Sequence, residues 1–365
     1  MNTLKTLMNG VFGRKVPAEF AAADYDYEAA LRDELKKLLC DDQGRLNRYK
    51  FDRNKYDLFE LLSQNLDEVL PQSVASALDM FTEIVRLPQG SRAEFRVVRG
   101  KQRGKQFVTR ATESGNYETF RLDRDHFDVY PVALGGAGYV DFERYLDGVE
   151  SITDIYEVLN DGFVDRIFEM VQEALLQTWN LAGRPARNKV VATGFDAAAM
   201  RKLCATVAAY GSPVIYCTPE FAAEMSNAIV YVHTPATGAA ATTQIFLPEQ
   251  DKNDIRERGY IGKFYGTPVV VMPQSFADET NTKLVMNPSF AYVIPTGKEK
   301  LVKLAFEGNS YFREWDDHEG DNSISIQAYL KVGVGVVSTP NYWGIYYNSS
   351  IDAGGWADYN TALMA

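Results

Sequence analysis

Histidine and cysteine are scarce in this 365-residue chain, three of each, and neither set is arranged for chemistry. Cys40, Cys204 and Cys217 are odd in number, far apart and free of any C-x-x-C pair. That pattern excludes a disulfide scaffold and leaves small buried hydrophobes in a reducing compartment. His126, His233 and His318 stand in neither HExxH nor HxH spacing, so a zinc site has no sequence support. No apolar run approaches roughly 18 residues, and the opening MNTLKTLMNGVFGRK lacks the apolar core and cleavage site of a secretory signal. The expectation is a soluble protein of the cytoplasm with no membrane partner. Basic charge is also in deficit: 38 Lys and Arg against 49 Asp and Glu leave a net charge of −11. Such a surface repels polyanions, so any contact with nucleic acid must be local.

Catalytic signatures are missing as well. No G-x-S-x-G occurs, and no Ser or Cys stands in a motif with a nearby His. Gly135-Gly136-Ala137-Gly138 lacks the G-x-G-x-x-G spacing of a phosphate cradle and reads as a turn. The acidic stretch from Trp315 to Asn322 misses the EF-hand ligand spacing and reads as a solvated hairpin turn between two strands. We therefore expect no catalytic residues, no cofactor and no metal.

What remains is an ordinary folding chain, 46% hydrophobic and 24% charged, long enough for two domains or one elaborated domain. Residues 1–24 show no sustained period and read as a flexible arm. Helical periodicity runs from Tyr25 to Cys40 and again from Asn54 to Val69, where Pro71 is expected to end it. Strand character begins at Ala93, and glycine-punctuated runs rich in Phe, Val, Thr and Tyr continue to Ala133, the pattern of a long β-hairpin.

Charge divides the hairpin unevenly. Residues 92–110 carry Arg92, Arg96, Arg99, Lys101, Arg103, Lys105 and Arg110 against Glu94 alone. Residues 111–128 carry Glu113, Glu118, Asp123, Asp125 and Asp128 against Arg121 and Arg124. Phe95 and Phe107 among the cations also fit nucleic-acid binding, yet a ribbon of both signs better suits docking across a neighbouring subunit.

A helix of about 30 residues, some 45 Å long, starts near Ser151 and stops at Gly183 and Pro185. Gly162 inside it is a candidate bending point. Strands and helices then alternate: a strand at Lys189–Thr193, a helix at Asp196–Tyr210, a strand at Pro213–Cys217 and a helix opened by Thr218-Pro219-Glu220. Strand runs return at Ala291–Ile294, Lys300–Phe306 and Ser323–Val337, the last alternating through Ile324, Ile326, Ala328, Leu330, Val332 and Val334. The final aromatic segment has no clear period.

This order resembles the major capsid proteins of tailed bacteriophages, the Hong Kong 97-type fold. The stretch from Asp57 to Val97 looks like that family's N-terminal arm leading into its first strand through the turn Pro88-Gln89-Gly90. Ser151–Asn180 looks like its spine helix. Gly259, Gly262, Gly266, Pro268 and Val269-Val270-Val271 look like the strand pair near the end of its axial domain.

The resemblance implies an α+β fold divided into an N-terminal arm and lead-in (1–92), an extended hairpin or E-loop (93–135), a peripheral domain with the spine helix (136–185), an axial domain (186–285), peripheral return strands (286–340) and a C-terminal tail (341–365). It implies a structural protein, not an enzyme, that self-assembles through hexamers and pentamers into an icosahedral virion head in the host cytoplasm. The head would enclose double-stranded DNA without sequence-specific binding, with scaffold, portal and decoration proteins as candidate partners. The E-loop contact would be carried by Arg96, Arg99, Lys101, Arg103, Lys105, Glu113 and Glu118. Encapsulin nanocompartment shells share the fold and are the nearest alternative; an α/β enzyme, prompted by the alternation between Lys189 and Asn227, is the alternative from another class.

Overall fold

The computed structural model describes residues 7, 27–41, 47–78, 81–97, 126–140, 152–181, 183–229, 232–233, 244–245, 257–297, 300–315 and 324–364. The arm expected over residues 1–24 lies outside them, apart from Leu7, which is buried. Helix α1 (Tyr27–Leu39) buries Leu31 and Leu35 at four-residue spacing. Helix α2 (Arg48–Leu78) buries Phe59, Leu62, Leu66, Leu70, Val74 and Leu78 along one stripe. It does not end at Pro71. The missing N–H costs one backbone bond, but the stripe continues into the core through Val74 and Leu78, and that burial carries the helix two further turns.

Strand β1 (Thr82–Leu87) leads through the Pro88-Gln89-Gly90 turn, with Gly90 at φ 81°, into β2 (Ala93–Arg96). Next come β3 (His126–Val129), β4 (Val132–Val140) and the long helix α3 (Ile152–Gln177). The alternating stretch supplies β5 (Lys189–Ala192), α4 (Ala197–Ala208), β6 (Ser212–Cys217) and α5 (Pro219–Ile229). Asp196 caps α4 by accepting the Ala198 N–H at 2.8 Å. The short pair β7 (Val232–His233) and β8 (Gln244–Ile245) is followed by β9 (Lys263–Phe264) and β10 (Thr267–Val271). Tyr265 and Gly266, both at positive φ, form the tight hairpin turn between the latter two. The chain closes with β11 (Phe290–Thr296), β12 (Val302–Trp315), β13 (Ile324–Val336), β14 (Gly344–Asn348) and α6 (Ala357–Met364).

Two main sheets result, in an α+β architecture. One has the order β1-β12-β13-β4, with β1 parallel to β12 and the other pairs antiparallel. Helix α2 packs on β12, and α3 lies against β4 and β13. Gly135–Gly138, read as a turn, are instead inside β4, opposite Tyr329 to Ile326 of β13. The strand runs close under the helix: a Cβ on Gly136 would stand 2.9 Å from the end of the Leu159 side chain of α3. Residues 316–323, the expected acidic turn, lie outside the described residues, between strands paired as far as Trp315 opposite Ser325.

The second sheet has the order β5-β14-β11-β6-β10-β9. It corrects two expectations. Residues 290–296, placed among the return strands of 286–340, pair with β6 and β14 in the middle of this sheet. The expected tail, 341–365, supplies β14, inserted between β5 and β11, with Trp343, Ile345 and Tyr346 buried. Its apolar side chains face both sides of a central strand, so no period of two marks it in the sequence. The helix expected from Ser151 to Asn180 ends at Gln177 in a turn, leaving 26 residues, about 39 Å.

A buried amide junction ties these parts together. Gln172 of α3 donates to the Asn287 carbonyl (3.0 Å) and accepts the Asn287 N–H (2.7 Å). The Asn287 side chain in turn donates to Asn360 of α6 at 2.5 Å. All three cysteines are free and buried; burial raises the Cys204 thiol to about 11 and Cys217 further. Among the described residues no helix is long and apolar enough to cross a membrane, and no three His, Cys, Asp or Glu side chains gather where they could hold a metal.

Candidate subunit-contact site

The hairpin read from the sequence has its foot in β2 and β3. They pair antiparallel, Ala93 opposite Val129, Glu94 opposite Asp128, Phe95 opposite Phe127 and Arg96 opposite His126. Strand alternation turns Ala93, Phe95 and Val129 inward, where they meet Ala305 of β12 and Val337. Glu94, Arg96 and His126 face solvent, with His126 Nδ1 3.1 Å from the Glu94 carboxylate.

Two glycines of β13 seat the foot. A Cβ on Gly333 would lie 2.9 Å from a Val129 methyl, and one on Gly335 would lie 2.7 Å from the other. Only bare backbone lets Val129 approach this closely. The Val-Gly-Val-Gly-Val run at 332–336 carries the signal in plain sight, one face apolar and the other stripped of side chains. The sequence reading followed the apolar face and missed the glycine face.

The turn before the hairpin is clamped from the same sheet. The Gly90 N–H donates to the Glu307 carboxylate at 2.8 Å, and the Lys331 ammonium lies 3.5 Å from it. The amide bond and the lysine charge both hold Glu307 below its ordinary carboxylate value. Lys303, buried on β12, pairs with Glu83 of β1 and stands 5.8 Å from the centroid of the Phe95 ring. Next to the turn, α2 and the irregular stretch of β12 enclose an open groove of about 1260 Å³ between Tyr56, Phe59, Gln89, Tyr311 and Tyr329. Asp67 holds that groove's inner wall by accepting the Ser310 N–H at 2.8 Å; burial raises its carboxyl above the ordinary value despite that bond.

Of the contact residues read from the sequence, Arg96 stands exposed at the end of β2. Arg99, Lys101, Arg103, Lys105, Glu113 and Glu118 lie outside the described residues. Gly162 is exposed in α3, and a Cβ there would meet nothing within 4 Å, so packing makes no demand for glycine at that position. The arrangement seats β2 and β3 on the sheet; among the described residues it brings no nucleophile, acid and base together.

The family model for the "SPbeta prophage-derived putative capsid protein YonB" matches residues 3–341. No curated protein matches the chain in sequence. Among solved structures, the chain is similar to the capsid of a native GTA particle at 13% identity and a TM-score of 0.50, over 75% of this chain and 90% of that one. It is also similar to the capsid of the cyanophage P-SCSP1u (10% identity, TM-score 0.48, 74% and 88% covered). The virus-like particle from Pyrococcus furiosus gives 10% identity and a TM-score of 0.44, over 78% and 98%.

Proposed function

The chain belongs to the YonB family of prophage-derived capsid proteins, a structural protein of the virion with the Hong Kong 97-type fold, and from that premise we propose how it builds its shell. Copies associate through hexamers and pentamers in the host cytoplasm and close into an icosahedral head around double-stranded DNA. The family match favours the phage shell over the encapsulin alternative, and capsid proteins of this kind tile rather than catalyse. Scaffold, portal and decoration proteins are its candidate partners.

The observation that supports this reading best is the seating of β2 and β3 on Gly333 and Gly335. A hairpin gripped at its foot by the body of one subunit can bear load at its other end. Arg96, Arg99, Lys101, Arg103 and Lys105 on one arm, with Glu113 and Glu118 on the other, would contact adjacent copies, where opposite charges steer and set register. Weak contacts of this sort become a stable shell because each copy repeats them around closed symmetry. The excess of acid over base in the chain agrees with a wall that does not hold DNA tightly.

Reversing Arg99, Lys101 and Arg103 to Glu tests the contact directly. The variant is expected to fold as the parent does by circular dichroism while forming no round particles by negative-stain electron microscopy. Particles of normal size and yield would refute the role of the hairpin charges.

A further inference from the structure

The two main sheets end in four outer strands, β1 and β4 in one, β5 and β9 in the other. Three of the four carry charge: Glu83 and Arg86 in β1, Lys189 in β5 and Lys263 in β9. Charged side chains and proline keep a free strand edge from pairing with another chain. β4, Val-Ala-Leu-Gly-Gly-Ala-Gly-Tyr-Val from Val132 to Val140, has neither, and it is the longest of the four. Its ladder with β13 runs unbroken from Val132 opposite Val332 to Val140 opposite Ile324, with no bulge to twist the edge away. One face of the strand is held from behind: Leu134 packs against the core, and α3 lies close over Gly136. On the other face Ala133, Gly135 and Ala137 are exposed. Among the described residues β13 is the only strand paired with β4, so the backbone N–H and C=O groups along the far side of β4 have no strand to bond within the subunit.

The side chains of the edge say what it can accept. A foreign strand is recognised through charges and pockets that fit its alternate side chains, and the exposed Ala133, Gly135 and Ala137 supply neither. What β4 offers is backbone. A strand as small and as uncharged as itself meets that backbone without like charges or bulky groups in opposition. Two β4 edges related by a twofold axis run antiparallel, and each then presents the same patch to the other. The chain belongs to a capsid family, so copies of itself are the strands its assembly would bring to this edge. We propose that β4 of one subunit pairs antiparallel with β4 of a second copy across a twofold axis, joining two four-stranded sheets into one. The inference rests on the assembly reading above and adds to it a contact made by backbone, independent of the hairpin charges.

The test uses the full chain in two charged forms, one with Ala133→Lys and Ala137→Lys, the other with Ala133→Asp and Ala137→Asp. Both positions are exposed, so the core is untouched, and like charges fall opposite or diagonal to one another wherever two β4 edges meet. Each form alone should fold as the parent does by circular dichroism and need about tenfold more protein to form particles in sedimentation. An equal mixture of the two should recover the parent's concentration, because opposite charges then face each other. A mixture that recovers nothing would overturn the proposal and assign the edge to a different strand; so would either form assembling at the parent's concentration. Ala137→Cys reads the contact without particles. The native cysteines are all buried, so a short bismaleimide should join two copies through the new position, and Val191→Cys on the outer strand β5 should give no such product. No dimer band on a denaturing gel, or equal bands from both variants, would also overturn the pairing. A parent that forms no particles but cross-links through Ala137→Cys would remove the assembly reading and keep this contact, whereas a parent that assembles with unaffected charged forms would remove only this one.

Discussion

Gly335→Ala probes the seat of the hairpin at its tightest point. The new Cβ would stand 2.7 Å from Val129 Cγ2 and 3.5 Å from Phe127 Cε1. Val129 is 3% exposed, β-branched and packed among Ala93, Ala305 and Val337, so it has no free rotamer to retreat into. Overpacking of this kind costs about 1–3 kcal/mol, and the stiffer alanine backbone returns about 0.5–1 kcal/mol. The net expectation is a loss of about 0–2.5 kcal/mol. Val129→Ala alone removes two buried methyl groups, a loss of about 1.5 kcal/mol. In the double variant the alanine methyl occupies space the valine has left. The combined loss should therefore fall short of the sum by about 1–2 kcal/mol. Urea denaturation of the four proteins closes the cycle. Additivity within about 0.5 kcal/mol would show that Gly335 and Val129 do not press on one another, and the account of the seat would fail.

Three further outcomes are expected. Asn287→Ala leaves the Asn360 side chain and the Ser289 N–H without partners inside the core, a loss of about 2–4 kcal/mol by chemical denaturation; a loss under about 1 kcal/mol would show the junction to be incidental. Asp67 titrates above its ordinary value in the folded chain, so the native state holds its proton to higher pH than the unfolded state does, and stability falls as pH rises between the two values. Asp67→Asn keeps an acceptor for the Ser310 N–H and should be more stable than the parent at pH 7, with the difference shrinking below about pH 4; equal effects at both would refute the burial argument. Gly162→Ala meets no neighbour and should stabilise α3 by about 1 kcal/mol, while slowing expansion of immature particles if the helix pivots there. Unaltered expansion would end the pivot proposal.

Much of the architecture was legible wherever a local rule acts alone. Asp196 and Pro219 mark their helix starts through capping and a fixed φ, and α3 shows in a long three-and-four periodicity. The foot of the hairpin appears as strand pattern beside glycine punctuation. Of the contact site itself only the charged arm was read, because charge runs are visible without a partner. The glycine face of β13 and the Glu307 clamp on Gly90 were not read, since each depends on residues far apart in the chain meeting in space.

The same division explains the misreadings. Pro71 reads as a stop because its ring and missing N–H disfavour a helix interior; only the core beyond it shows that Val74 and Leu78 reward continuing. Four small residues at 135–138 look like a turn until they are found paired with β13 inside β4, with α3 laid close over Gly136. The last residues look like a tail until β14 is found between β5 and β11. By itself the sequence determined the helices and strands that carry a clear period or cap, which of their faces are apolar, and that charge and missing motifs point to surface recognition rather than catalysis. The tertiary structure alone decided strand neighbours and where side chains had to be absent, because periodicity states which face of a segment is buried but carries no information about what buries it.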